Sequence, residues 1–408
     1  MSSVIPAFSE FVTTQRPPAA RAASKRESSS VTAISAISIE RASGARLAEI
    51  EADWCNLITL SHEPNVFVDP AILRCLGDRC HTLLAWQGSG SERRLVGLWA
   101  FAKARLGVVQ VLRSPAFTHA YLGTPVVDRS QSEAALAAML DHIEQARDLP
   151  RLISFDPIRL DGLTMQVLWS VLEARGTAPR ILSTTSRPIL ASDLDGKQYF
   201  EKALSSSSRK KLRQHRRRLE EKGALENVVS TEPSAVRLAF EDFLALETAG
   251  WKGRSGTALL CREADASFAR AMIAVLAERG RVSVHALYQG GKPVAVQIIL
   301  RAGPIAFTWK TAYDEALGDY SPGMLLLEVY TAAFLADKFI AMVDSCAFDD
   351  TGFMSVWKER ELVAQVLIDA RRGGSPAFAA VAGMQKTFLK LRTTAKALWL
   401  RRRKWMRK

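Results

Sequence analysis

Apolar residues along the first half of the chain alternate between strand and helix spacing. SISIE has the pattern of a strand, and Leu47, Ile50, Trp54 and Leu57 then recur at helical spacing. Two β-rich runs follow, HTLLAWQG and RLVGLWAFAKARL, with the turn-forming residues GSGSER between them. AYLGTPVVD extends the alternation before the helical SEAALAAMLDHIEQA and the strand-like RLISFD. The pattern predicts a mixed α/β domain that ends near residue 190.

The second half repeats this order. Helical segments over the basic run near residue 210, over AVRLAFEDFLALETAG and over DASFARAMIAVLAERG precede a two-strand meander, RVSVHALYQG and KPVAVQIILRAG. PIAFTWKTAYDE is a third strand, GMLLLEVYTAAFLADK a helix, and AMVDSCAF a last strand. Because both halves share one plan, we expect two α/β lobes, over residues 36–190 and 191–370.

The two ends of the chain lack this pattern. Residues 1–35 are rich in Ser, Ala, Pro and Thr without sustained periodicity, which predicts a disordered leader. Residues 371–408 contain twelve Lys or Arg and no Asp or Glu, so nearly all of the net charge of +13 lies there. Leu391, Leu398 and Trp405 are spaced by seven in this tail. We expect a cationic amphipathic helix that docks on an anionic membrane or acidic polymer; a solvated tail and nucleic-acid binding are the weaker alternatives.

Composition narrows the class of protein. With 408 residues, 48% hydrophobic and 24% charged, the chain suits two ordinary globular domains. It has neither an apolar stretch long enough to span a bilayer nor a secretory signal pattern, so we expect a cytoplasmic protein, with the tail allowing contact with the inner face of the cell membrane. Five cysteines without CxxC spacing and six unclustered histidines predict no metal site and no disulfide.

Several motifs of the second half carry a resemblance. SSSSRKKLRQHRRRLEEKG, LETAGWKGRSGTAL, GKPVAVQIIL, WKTAYDE, YSPGMLLLE and VDSCAF with SVWKER resemble the bacterial GNAT-type family named for the cellulose-biosynthesis protein CelD, over about residues 195–365. That family is related to the FemABX aminoacyltransferases, which also carry two GNAT-like lobes. The resemblance implies tandem GNAT-like lobes, the C-terminal one active. It further implies acyl transfer from acyl-CoA (acetyl-CoA) to an amine or hydroxyl acceptor, in exopolysaccharide or cellulose metabolism.

The YSPGMLLLE motif has the features of a phosphate site. Pro322 presets φ at a helix start, and Gly323 lets backbone approach a ligand without a Cβ in the way. Free amides and the positive helix end would bind the acyl-CoA phosphates, so Tyr320, Ser321 and Met324 join the predicted cofactor site. The alternative is a Pro-Gly helix start without a ligand. The usual GNAT loop, in which Arg or Gln leads a Gly-x-Gly/Ala pair, is absent here.

The WKTAYDE motif supplies a cation, a phenol and a carboxylate within five residues. We predict Asp314 as the base that deprotonates an acceptor ammonium and Tyr313 as the acid that protonates the leaving thiolate, with Lys310 contacting substrate. In an unbroken strand Lys310 and Asp314 would share a face and Tyr313 would point the other way. The alternative for Asp314 is that it caps the following turn.

Five further residues are candidate substrate contacts. Trp251 and Lys252 follow a helix on a glycine-containing loop and suit a sugar or a phosphate, with core packing as the alternative for Trp251. Asp344 ends a predicted strand, as an acceptor contact or part of an ordering network. Arg209 and Arg213 belong to a basic helix that can border the donor or acceptor cleft, with a solvated face as the alternative.

Two other functions remain open from the sequence. A FemABX-like aminoacyltransferase would use the basic helix for the RNA backbone of a charged tRNA. A non-catalytic scaffold of a membrane-associated polysaccharide machine would keep the fold without chemistry, and the missing pyrophosphate loop favours it.

Overall fold

The computed structural model describes residues 37–42, 44–348 and 352–405, so the predicted leader lies outside the described residues. Thirteen strands form one mixed sheet. The strands are β1 (Ile37–Ala42), β2 (His81–Gln87), β3 (Arg94–Leu106), β4 (Val109–Ser114), β5 (Val126–Val127), β6 (Leu152–Arg159), β7 (Arg180–Leu190), β8 (Leu225–Ser230), β9 (Val282–Gln289), β10 (Lys292–Ala302), β11 (Ile305–Tyr313), β12 (Met342–Asp344) and β13 (Glu359–Asp369). The helices are α1 (Gly44–Glu49), α2 (Glu51–Leu60), α3 (Pro70–Arg74), α4 (Ser132–Gln145), α5 (Leu163–Ala174), α6 (Gly196–Ala203), α7 (Ser206–Glu220), α8 (Pro233–Ala249), α9 (Trp251–Arg254), α10 (Glu263–Ala277), α11 (Pro322–Ala336) and α12 (Pro376–Trp405).

The strand order confirms the predicted mixed α/β fold. It runs β1-β2-β3-β4-β6-β13-β7-β12-β11-β10-β9-β8, with β5 beside β3. Two neighbouring pairs are parallel, β4 with β6 and β11 with β12, and the other pairs are antiparallel. Each half of the chain therefore builds an antiparallel meander that leads into one parallel pair.

Two strands connect the two halves of the chain, because each pairs with a strand of the other half. β13, from the end of the second half, lies between β6 and β7 and pairs Val363 with both Arg159 and Thr185. β7, from the first half, pairs with β12 through Leu190 and Val343. The sheet therefore continues across residue 190, where the sequence pattern predicted a boundary between lobes.

Apolar side chains cover both faces of the sheet. One cluster spans the two halves under α2, α3, α8 and α10, and in it the rings of Phe67 and Phe307 lie 5.4 Å apart. The opposite face is covered by α4 and α5 in the first half and by α6, α7 and α11 in the second. The rings of Phe117 and Phe268 also meet across the halves, at 5.2 Å. The halves thus share one continuous core on one face.

Several elements lack a clear sequence signal. β4, β7, β8, β13 and α5 were not predicted, and the single helix expected over residues 46–60 divides at Ile50. β8 is an edge strand with four exposed residues, so it carries no apolar alternation. AYLGTPVVD forms a strand only at Val126–Val127. In the part of the chain that the structure describes, we find no helix with the length and apolar character needed to cross a membrane.

Candidate active site

The two strands of the second parallel pair separate and open a cleft. β11 and β12 pair only along Ile305–Phe307 and Met342–Asp344. Beyond these residues β12 ends, whereas β11 continues to Tyr313. Thr308 Oγ1 donates a hydrogen bond to the carbonyl of Ser345 at 2.7 Å, where the two backbones begin to part. Residues 308–311 of the longer strand then line one wall of a cleft.

Two adjoining cavities occupy this cleft. Their volumes are about 230 and 280 Å³, and both are lined by Lys252, Thr311 and Phe353. The smaller cavity also reaches Lys310 and Tyr121. The larger one extends to Trp251, Tyr313 and Glu315. Four of the predicted site residues therefore line one cleft: Trp251, Lys252, Lys310 and Tyr313.

A β-bulge aims Lys310 at helix α8. Ile298 pairs with Lys310 and Ile299 with Thr308, so Trp309 is the extra residue on β11. Trp309 packs against Phe240 of α8, with ring centroids 6.5 Å apart. The bulge places the side chains of Trp309 and Lys310 on the same side of the sheet, because both contact residues of α8.

A buried carboxylate joins the two lysines of the cleft. Glu247 is only 2% exposed, and its Oε2 accepts the amide of Leu259 at 2.9 Å. Lys252 Nζ donates to Glu247 Oε1 at 3.0 Å and to the carbonyl of Thr311 at 3.2 Å, while Lys310 Nζ lies 3.9 Å from the same Oε1. Burial lowers the pKa of Lys310 to about 8; Glu247 opposes this shift and the Lys252 charge adds to it. Lys310 is thus partly neutral near physiological pH.

The start of α11 brings the five predicted cofactor residues together. Tyr320 ends a 3₁₀ helix, and Ser321 adopts a left-handed conformation at φ 52° immediately before Pro322. The amide of Met324 donates to the carbonyl of Ser321 at 2.9 Å. The amide of Leu325 donates to the same carbonyl, and Pro322 has no N–H. The Gly323 amide, for which no acceptor is found among the described residues, and the positive helix end can therefore receive an anion.

Gly323 leaves space at this helix start. A Cβ built on Gly323 would lie 3.6 Å from Cδ1 of Tyr313, which is an ordinary contact. The packing of the protein itself therefore does not require glycine at this position. The contact also places Tyr313 on the α11 side of β11, opposite the α8 side that Lys310 faces.

The basic helix α7 runs beside the start of α11. The imidazole of His215 lies 6.5 Å from the ring of Tyr320, and Lys222 places its ammonium 4.7 Å from the same ring. Arg216 pairs with Glu328 of α11 at 3.6 Å. These contacts set α7 against the segment that carries the predicted phosphate site.

Arg209 and Arg213 occupy the same stripe of α7 as Arg216, because the three are spaced i, i+4 and i+7. Arg209 donates to the carbonyls of Glu201 and Leu204 at 2.7 and 2.9 Å, which anchors its guanidinium to the preceding helix. Arg213 is exposed and forms no ion pair with any described residue. Of the two, Arg213 keeps a guanidinium that is available to a ligand.

The structure decides between the two predicted roles of Asp344. The sequence allowed either a substrate contact or a place in an ordering network, and a substrate contact does not fit because Asp344 is fully buried. Its carboxylate lies 3.2 Å from Arg187 and 3.6 Å from Arg159, and its Oδ1 accepts the amide of Cys346 at 2.7 Å. Asp344 therefore belongs to an ion-pair network inside the protein, and burial raises the pKa of the adjacent Cys346 thiol.

Asp314 caps a short helix in the structure. Its Oδ1 accepts the amide of Ala316 at 2.9 Å and caps the 3₁₀ helix Glu315–Tyr320, which is the alternative that its position before a turn allowed. Tyr313, the predicted acid, is 37% exposed and lines the larger cavity. Trp251 is 56% exposed beside the same cavity, so it does not form part of the core.

Sequence reasoning missed Glu247, although the sequence carried a signal for it. Phe240, Phe243, Leu244 and Glu247 recur at i, i+3, i+4 and i+7 on α8, and all four are buried. A carboxylate on the buried apolar stripe of a helix requires a partner, and Lys252 lies only five residues away. A carboxylate at an otherwise apolar position of the helical pattern was therefore the sequence signal for this site.

Comparisons with known proteins find similarity in sequence and in fold. Residues 206–351 match the acetyltransferase (GNAT) domain family. The crystal structure of FemX aligns at 13% identity with a TM-score of 0.51, covering 77% of this chain and 95% of that one. A tandem GNAT protein from the clavulanic acid biosynthesis pathway aligns at 13% identity with a TM-score of 0.43, covering 82% and 98%. The C-terminal domain (DUF2156) of a "Putative Lysylphosphatidylglycerol Synthetase" from Agrobacterium fabrum aligns at 17% identity with a TM-score of 0.49, covering 85% and 97%.

A comparison with curated protein sequences finds no match. GNAT domains use acyl-CoA, and no group of three or more His, Cys, Asp or Glu among the described residues could hold a metal ion. The fold is the GNAT fold, and the family match over residues 206–351 supports acyl transfer in general.

Proposed function

We propose that the protein is an acyltransferase that moves an acyl group from acyl-CoA to an amine or hydroxyl acceptor in the cleft between β11 and β12. The observation that carries this proposal is the position of the cleft. It opens where β12 ends, with the start of α11 on one side of β11 and the partly neutral Lys310 on the other. An anionic donor and a nucleophilic acceptor would thus approach one strand from opposite sides.

The donor side would hold the phosphates of acyl-CoA. The Gly323 amide and the helix dipole favour a phosphate group there. Arg213, on the stripe of α7 that faces α11 through Arg216, adds a cation without a protein partner among the described residues. These groups replace the usual GNAT pyrophosphate loop, whose glycine motif the sequence lacks.

Lys310 is the proposed base, in place of the capping residue Asp314. Neutral Lys310 takes a proton from the acceptor, whose nitrogen or oxygen then bonds to the acyl carbon as the bond from that carbon to sulfur breaks. Tyr313 donates its phenolic proton to the departing thiolate and regains one from water, and Lys310 releases to water the proton that it took from the acceptor. Glu247, held by Lys252 and the Leu259 amide, positions the Lys310 amine.

The acceptor side suits a saccharide or a small polar molecule. Trp251 is exposed at the mouth of the larger cavity, and its indole offers an apolar face to a sugar ring. Lys252 lines both cavities and can contact a polar substituent. A role in exopolysaccharide or cellulose metabolism follows from the resemblance to the CelD-like family.

Calorimetric titration of the full chain with CoA, acetyl-CoA and longer acyl-CoA tests the donor. We expect saturable binding, weakened by Gly323→Ala and Arg213→Gln. Incubation with a panel of amino sugars, sugars and amines, followed by detection of released CoA thiol and mass spectrometry of the acceptor, tests the transfer. Absence of binding to every acyl-CoA would overturn the proposal and leave the scaffold alternative. Salt-sensitive binding of charged tRNA without acyl-CoA binding would favour aminoacyl transfer.

A further inference from the structure

The start of helix α12 packs against the sheet. Phe378, Val381 and Ala382 are buried, and they form a small apolar cluster with residues that include Val111 and Leu367. The helix then continues to Trp405, so its 30 residues span about 45 Å. Its first two turns are therefore anchored in the body of the protein.

Beyond this anchor, α12 presents an apolar stripe. Met384, Phe388 and Leu391 are spaced by four and three residues, which places them on one side of the helix. Their exposed fractions are 56%, 57% and 66%. A surface stripe of large apolar side chains implies a partner.

Cations occupy the other sides of the helix. Lys386, Lys390 and Arg392 are all exposed, and residues 371–408 contain no Asp or Glu. The sequence extends this composition past the described side chains, with Leu398, Trp399 and Trp405 among further Lys and Arg. An anionic partner with an apolar interior satisfies both features, and the surface of an anionic lipid bilayer is such a partner.

We propose that α12 is a docking helix that lies in the surface of an anionic membrane and holds the acyltransferase domain against it. The phosphates of a nucleic acid would pair with the cations, but the apolar stripe of Met384, Phe388 and Leu391 would remain exposed to water. A spanning role does not fit, because cations recur along the helix. The proposal rests on α12 alone and is independent of the chemistry in the cleft.

Co-sedimentation of the full chain with vesicles tests the proposal. We expect strong binding to phosphatidylglycerol-containing vesicles, at least tenfold weaker binding to pure phosphatidylcholine, and loss with rising salt. The triple variant Lys386→Glu, Lys390→Glu, Arg392→Glu should lose binding more than tenfold. The matched control reverses three exposed lysines elsewhere, Lys103→Glu, Lys292→Glu and Lys338→Glu, with the same change in net charge.

The apolar stripe needs its own pair of variants. Phe388→Ser should weaken vesicle binding severalfold, whereas Phe339→Ser, which removes an 82% exposed ring outside α12, should leave binding unchanged. Equal effects of the two substitutions would overturn the proposal, as would tighter binding to a DNA or RNA duplex than to the anionic vesicles. Titration of each variant with acetyl-CoA distinguishes loss of docking from loss of the donor site.

Discussion

Lys310 extends from the bulge of β11 toward α8, and its Nζ lies 3.9 Å from Oε1 of Glu247. Burial has lowered the pKa of this amine to about 8 although a carboxylate lies nearby. This buried pair of ionisable groups gives the cleft of the second half a chemical character that apolar packing between strands would lack.

The titration of Lys310 can be measured directly. Competitive labelling with acetic anhydride, followed by mass spectrometry, should show Lys310 becoming reactive with a midpoint near pH 8. Glu247→Gln should move that midpoint lower, because the carboxylate favours the charged amine. The exposed Lys292 is the reference amine. A midpoint for Lys310 that Glu247→Gln leaves in place would contradict the electrostatic link.

The same pKa shift predicts a dependence of stability on pH. The pKa of Lys310 in the folded state is about 8, below the ordinary value of 10.5, so the unfolded chain binds more protons between these values. The free energy of unfolding should therefore gain a contribution as pH rises from about 8 to 10.5. Urea unfolding of Lys310→Met should lack this contribution. An identical pH profile for the two proteins would rule out a shifted Lys310.

Gly323→Ala separates folding from donor binding. The new methyl group meets only Cδ1 of Tyr313 at 3.6 Å, and alanine favours helix, so the melting temperature should be unchanged or slightly higher. Acyl-CoA affinity should fall on the order of tenfold, or about 1.4 kcal/mol, because the methyl group blocks approach to the Gly323 amide. Gly383→Ala in α12, where a Cβ meets nothing within 4 Å, is the matched control. Unchanged affinity in Gly323→Ala would place the phosphates elsewhere.

Arg213→Gln should weaken acyl-CoA binding and reduce its salt dependence, since a cation that faces a phosphate is lost. Arg217→Gln is the control on the same helix, because Arg217 is exposed and pairs with Glu221 at 3.5 Å. Calorimetric titration at several salt concentrations compares them. Equal losses in the two variants would show that the helix contributes only a diffuse positive charge.

Asp344→Asn should destabilise the protein without acting on the donor site. It leaves the buried guanidinium of Arg187 short of its counter-charge, which costs about 3 to 5 kcal/mol in comparable buried pairs. Glu241→Gln breaks a half-exposed pair with Arg270 and should cost under about 1 kcal/mol. Denaturant unfolding measures both. Equal stability of the Asp344 variant and the native protein would mean that the network is dispensable.

Apolar periodicity alone determined most of the second half of this protein. It predicted α8, α10, α11 and the β9-β10-β11 meander, because these elements bury one continuous face and so display their period in the sequence. The motifs YSPGMLLLE and WKTAYDE were identified by the resemblance to the CelD-like family and not by this periodicity. Exposed strands such as β8 have few buried side chains, so they lack apolar periodicity and were not predicted from it.

Only the tertiary structure decided which of these groups meet. The exchange of β7 and β13 depends on contacts between residues almost 180 positions apart, such as Val363 with Thr185, and no local pattern encodes such a pairing. Asp344 is buried and pairs with Arg187 inside the protein. The carboxylate of Asp314 accepts a hydrogen bond from the Ala316 amide and caps a 3₁₀ helix. The bulge at Trp309 directed Lys310 toward Glu247, which no spacing rule could place beside it. The charge state of a lysine depends on its neighbours in space, and those are set when the strands and helices pack.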